Sequence, residues 1–240
     1  MAALQSSEAA LPRRAPPRAP AKGELNLQGQ RLGRKGRDTR DRIVTAASEL
    51  LAETGDTAFS LSAVARKAGL GMTSLYVYFA DLTELLLAVL EPVMASAEET
   101  YLGHLRTRWP DELLGDHCRD YVRDYYRFWQ KHTRALHLRN SLSESGNDLR
   151  MARYRVEAGL PMLRLLVMQM DGDPEDITTP AYGMATALFT GIDRLVAVRT
   201  AMQWSIPPET AFNPDLGNQL RAEARLIELA IADMRKSGAQ

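Results

Sequence analysis

A single cysteine, Cys118, stands in 240 residues, so the chain can form no internal disulfide and a reducing compartment fits it. Long apolar runs are missing as well. The leucine-rich LLLAVL at 85–90 falls far short of a membrane span, and the N-terminus lacks the apolar stretch of a signal peptide. Strand-like alternation is absent, which argues against sheets. No catalytic triad, phosphate-cradling loop or dinucleotide fingerprint occurs, and paired acids such as Glu98-Glu99 read as solvated helix faces. His132 and His137 are not spaced to share a helical face, and no carboxylate pattern joins them, His104, His117 and Cys118 into a metal site. The expectation is a non-enzymatic protein without metal or cofactor. Net charge is zero, so any affinity for a polyanion must come from how charge is distributed.

The distribution is uneven. Residues 1–40 carry nine basic residues (Arg13, Arg14, Arg18, Lys22, Arg31, Arg34, Lys35, Arg37 and Arg40) against three acidic ones. Residues 1–37 also hold Pro12, Pro16, Pro17 and Pro20 with few large apolar residues, the composition of a disordered basic tail. Such a tail is either a solvated leader or an arm that reaches DNA. Beyond it, 45% hydrophobic content provides for an ordinary core.

Helical periodicity begins with Ile43, Ala46, Ala47, Leu50 and Leu51, behind Asp38 or Thr39 as N-cap, and Gly55 ends this first helix. Ser60 caps a second helix. Asp81 caps a long fourth one, which Pro92 should kink or divide. Further helices are expected over 111–131, 133–142, 149–170 (interrupted by Gly159 and Pro161) and 177–204. The last opens at Asn213 or Asp215. The fold class is all-α, with about nine helices.

The most telling stretch is SLSAVARKAGLGMTSLYVYF, residues 60–79. Leu61, Val64, Ala65 and Ala68 would face inward, Gly69 suits the left-handed end of a helix, and Leu70 returns to the core. A second short helix then surrounds a buried Leu75 with polar and aromatic residues. This is the pattern of a helix-turn-helix, whose second helix enters the major groove. The same geometry can also be purely structural in a helical protein.

The ordered set Ile43, Ala46-Ala47, Gly55, Val64-Ala65, Ala68-Gly69-Leu70, Leu75-Tyr76 and Tyr78-Phe79, within Thr39–Leu90, resembles the tetracycline-repressor-like (TetR) family of bacterial regulators. Beyond the basic tail at 1–37 that composition gives, the resemblance implies a helix-turn-helix DNA-binding domain at 38–90 and a helical effector-binding and dimerisation domain at 91–240. Carried onto this chain, it implies that Ser60 and Ser62 reach backbone or a base edge. Gly71, Met72, Thr73 and Ser74 would open the recognition helix, Tyr76 and Tyr78 would bond phosphates, and Val77 would offer an apolar contact. The chain departs from the family at Gly71 and Met72, and Leu82 stands where a phosphate-binding lysine is common. Arg31–Arg40 could replace that contact.

Aromatic residues are 7% of the chain, yet five of them fall within 121–129. Tyr121, Tyr125, Phe128 and Trp129 share a helical face, which suits core packing or the wall of an effector pocket. Trp109, Met162, Leu166, Met184 and Phe189, with Met94 and Met170, would complete that wall. Gly183, Ala187 and Gly191 allow close helix approach, while Leu188, Leu195, Leu220, Ile227 and Ile231 supply apolar area. These residues serve either internal packing or, as the resemblance implies, a two-fold homodimer interface of four helices. The expected whole is a bacterial cytoplasmic, nucleoid-associated repressor. It would bind a palindromic double-stranded DNA operator as a homodimer and be released by a small apolar or amphipathic effector, with no membrane partner. The alternative is a DNA-binding activator or architectural protein without a small-molecule ligand.

Overall fold

A computed structural model describes residue 27 and residues 30–53, 59–146, 148–205 and 215–238. Gly55, Asn213, Ile206–Pro208 and residues 1–26 of the basic tail lie outside the described residues. Among the described residues there are nine α-helices: α1 (Arg34–Ala52), α2 (Leu61–Lys67), α3 (Met72–Leu75), α4 (Leu82–Ala95), α5 (Leu114–Lys131), α6 (Thr133–Glu144), α7 (Leu149–Gln169), α8 (Pro180–Ser205) and α9 (Leu216–Gly238). None of them is long and apolar enough to cross a membrane.

The small N-terminal unit is shaped by its helix ends. The Ser60 hydroxyl accepts from the Ala63 amide at 3.2 Å and starts α2. Gly69, at φ +65°, stops it: the Leu70 amide donates to the Ala65 carbonyl at 2.9 Å and the Gly69 amide to that of Arg66 at 3.1 Å. Both bonds satisfy carbonyls the helix leaves open. Asp81 caps α4 by accepting from the Glu84 amide at 2.9 Å, and Glu84 reaches back to the Ala80 amide at 2.7 Å. Ile43, Ala47, Val64, Leu75, Phe79, Leu85 and Leu86 form the core where α1, α2, α3 and α4 meet.

The first helix starts at Arg34 behind Gly33, not at Asp38 or Thr39, so residues expected in the tail form its first turn. Leu32 supplies the reason. It is buried, packs close to Gly36, and its carbonyl accepts from Arg37 at 3.0 Å, which anchors the chain before the periodic apolar residues begin.

The helix α4 joins the two halves. It packs on α1 on one side and on α6 and α7 on the other. It continues past Pro92 to Ala95, crossing the expected boundary at residue 90. A π turn (Glu98–Leu102) and a 3-10 turn (Gly103–Leu105) follow. In the larger half, α5 is enclosed by α6, α8, α9 and the π turn, with α7 between α6 and α8. The helix α7 runs through Pro161 without the expected interruption. The carbonyl that Pro161 leaves without a donor belongs to Glu157, an exposed position where water can serve it. Gly159 lets α7 pass close to α8, since a Cβ there would stand 3.0 Å from the Phe189 ring.

A buried polar knot closes this half. Gln169 accepts from the Trp109 amide (3.0 Å) and donates to the carbonyls of Leu105 (2.9 Å) and Thr107 (2.8 Å). Arg235 of α9 donates to the carbonyls of Gln169 (2.7 Å) and Trp109 (3.0 Å) and pairs with Asp111. In the irregular 105–111 segment the Trp109 amide and the carbonyls of Leu105, Thr107 and Trp109 are thus satisfied by two long side chains.

Candidate nucleic-acid interface and ligand cavity

Leu75 is fully buried and fixes the roll of α3 against α2. That roll turns Gly71, Thr73, Ser74, Tyr76 and Val77 to solvent, beside exposed Ser62 of α2. Met72 and Tyr78 are half-buried and pack on the core of the unit. Ser60 is also half-buried. Its hydroxyl serves the α2 cap and lies 3.1 Å from that of Ser62, so it is mainly a structural group.

Positive charge around this face is unevenly available. Lys67 is held by Glu53 (2.7 Å) and Glu49 (3.2 Å), and these hydrogen bonds raise its pKa. Arg66 is exposed. Arg40 stacks over the ring of Phe79 at 5.2 Å, which brings a guanidinium to the segment between α3 and α4, where Leu82 is half-buried. Arg34 and Lys35 are exposed on the first turn of α1. The Leu27 amide donates to the Val77 carbonyl, two residues past α3, at 3.3 Å. Sequence patterning gives no sign of this contact, because it joins segments far apart in the chain.

A cavity of about 240 Å³ opens between α4, the π turn, α5, α6, α7 and α8. Of the residues expected at a pocket wall, Tyr125, Met162 and Phe189 line it, together with Met94. Trp109, Tyr121, Phe128, Trp129, Leu166 and Met170 do not; each is at most 3% exposed and packed in the core, and Met184 is half-buried outside the lining. Because α5 is enclosed by helices, its aromatic face is largely consumed by packing. Tyr101 stands edge-on to Tyr125 at 4.8 Å and to Phe128 at 5.1 Å. The lining is more polar than sequence reasoning expected: it includes Arg139, Asn140, Glu144, Arg155, Asp193 and Arg194. Asp193 accepts from the Tyr125 hydroxyl at 2.9 Å and from Arg155 at 3.3 Å, and Arg155 also pairs with Glu144 at 3.0 Å. Burial raises the pKa of Tyr125 well above its usual value, so the hydroxyl keeps its proton and donates.

The outer side of α8 exposes Gly183, Ala187 and Gly191; Leu195 and Leu220 are half-buried, and Leu188 is nearly buried. Ile227 and Ile231 are fully buried within the subunit, where α9 packs on α5 and α8, and cannot belong to an interface between subunits. Instead Leu226 (56% exposed), Leu229 (49%) and Val198 (38%) present apolar area to solvent.

Residues 43–89 match the family model described as bacterial regulatory proteins, tetR family. No curated protein matches the chain. The fold is similar to several solved structures. A proposed transcriptional regulator from Streptomyces coelicolor A3(2) is 19% identical, with TM-score 0.56 over 79% of this chain and 98% of that one. A TetR-like transcriptional regulator from Rhodococcus sp. RHA1 is 17% identical, with TM-score 0.52 over 84% and 97%. BioQ from Mycobacterium smegmatis is 19% identical, with TM-score 0.51 over 81% and 98%.

Proposed function

We propose that this chain, whose residues 43–89 match the tetR-family model, is a homodimeric repressor of a palindromic operator, released by a small effector that enters the larger domain. It acts in the bacterial cytoplasm, at the DNA, without catalysing a reaction. The observation that carries the DNA-reading role is the solvent-facing set of Thr73 and Ser74 on α3 with Tyr76 and Val77 just after it, held out by the buried Leu75. Thr73 and Ser74 stand at the start of the helix and are suited to base edges, Tyr76 to a phosphate, and Val77 to a thymine methyl.

Two copies are needed to place two recognition helices about 34–36 Å apart, or a multiple of that distance. The exposed Leu226, Leu229 and Val198, beside the small residues of α8, support a face for the second copy. For release, α4 is the lever. Met94 lies in the cavity wall near one end, and Asp81, the cap at the other end, follows the α3 segment. Those points are separated by roughly 20 Å of rigid helix. An effector that prefers one position of α4 changes the recognition-helix spacing, provided it binds the two states with different affinity.

The test is to incubate the purified full chain with sheared genomic DNA at moderate salt and sequence what it retains. A short inverted repeat near a promoter supports the reading. Retention without sequence preference would sink it.

A further inference from the structure

Arg139 is the unusual group in the cavity. It is only 6% exposed, yet no carboxylate pairs with it among the described residues. A buried arginine is almost always paired, because an uncompensated buried charge is costly. Its Nε and Nη2 donate to the same acceptor, Asn140 Oδ1, at 3.1 and 2.9 Å. Its guanidinium lies over the Trp129 ring at 5.7 Å, which orients the planar cation but does not neutralise it. The buried carboxylate of the same cavity, Asp193, is already taken by Tyr125 and Arg155. The lining carries three guanidinium groups (Arg139, Arg155, Arg194) against two carboxylates (Glu144, Asp193), a surplus of a single positive charge. Apart from Asn140 and Thr190, the rest of the wall is apolar or aromatic, with Met94, Tyr101, Met162, Phe189 and Ala197 among it.

We infer that this cavity takes a small monoanionic carboxylate with an apolar body, its carboxylate received by the guanidinium of Arg139. The inference rests on the reading of the cavity as the effector site. A planar guanidinium with free N–H groups matches the two oxygens of a carboxylate. One surplus charge balances a monoanion and would be overrun by a dianion. The anion supplies the counter-ion that no carboxylate of the lining gives Arg139.

The experiment titrates octanoate and, separately, 1-octanol into the full-length protein, reading tryptophan fluorescence and the melting temperature. Trp129 reports directly, since it underlies the guanidinium. Octanoate is expected to bind at least about tenfold more tightly than octanol and to raise the melting temperature more. Arg139→Met should lower octanoate affinity to the octanol level and leave octanol unchanged. Arg139→Lys, which keeps the charge but loses the planar fork, should fall between and serves if the methionine variant does not fold. Equal binding of the two probes, or a preference that survives Arg139→Met, overturns the carboxylate assignment while leaving an effector cavity in place. Binding of neither probe overturns both.

Discussion

The guanidinium of Arg150, in the first turn of α7, donates to Oδ2 of Asp81 at 2.7 Å, and Asp81 is the residue that caps α4. Arg150 is also bound to Asp148, the N-cap of α7, and this pairing holds the Asp148 carboxyl well below the usual carboxylate range. Two helix caps, one in each half of the protein, therefore share one cation. The cavity wall is built on the same α7, through Arg155 and Met162.

Breaking that link should affect coupling more than stability. The pair is solvent-exposed, so Arg150→Ala is expected to cost at most about 1 kcal/mol. It should shrink the factor by which effector weakens operator binding. DNA titrations with and without effector, beside a melting curve, check this. A large drop in melting temperature with unchanged coupling would contradict it.

Arg40 and the tail are expected to supply the charge that Leu82 does not. Arg40→Ala should weaken binding evenly across DNA sequences and lower the slope of log affinity against log salt by about 1. Deleting residues 1–26, which carry Arg13, Arg14, Arg18 and Lys22 and lead to Leu27 beside Val77, should lower it further. A slope that neither change moves would make the tail a solvated leader.

Gln169 is expected to matter for stability alone. Gln169→Leu would leave the Trp109 amide and the Leu105 and Thr107 carbonyls without their partner. At about 1–3 kcal/mol for each buried group left unmade, unfolding free energy should fall by several kcal/mol. Denaturant unfolding measures it, and a loss below about 1 kcal/mol would mean that water takes over these bonds.

The two half-buried histidines should add stability as pH rises towards neutrality. Burial lowers the pKa of both His132 and His137 from 6.5, and Lys131 and Arg139 add to it, respectively. Below 6.5 the unfolded chain therefore binds more protons than the folded one, and folding weakens as pH falls through that window. His137, whose Nε2 lies 2.9 Å from the Thr200 hydroxyl, can be replaced by Gln to reduce the effect. Unfolding free energies at pH 5.5 and 7.5 that agree would contradict it.

Features fixed by neighbours along the chain were legible in the sequence. Ser60, Gly69 and Asp81 each set a helix end through bonds within a few residues, and Leu75 sits where the periodic pattern calls for the buried side chain of the short second helix. Features set by distant packing were not. The start of α1 depends on Leu32, which lies outside the periodic pattern. Ile227 and Ile231 read as interface residues because α9 has two apolar sides, and only the position of α5 decides which one is internal. Arg139 could not be singled out at all, since lacking a counter-ion is a property of the folded cavity.

The most direct test of the central claim, that the exposed face of α3 reads DNA in two copies, is selection from randomised duplexes by the wild-type protein and by Thr73→Ala. The wild type should select an inverted repeat. Thr73→Ala should keep the repeat and its spacing but lose about 1–3 kcal/mol of discrimination at one base pair in each half-site. An unchanged motif with Thr73→Ala, or a motif without two-fold symmetry, would contradict it.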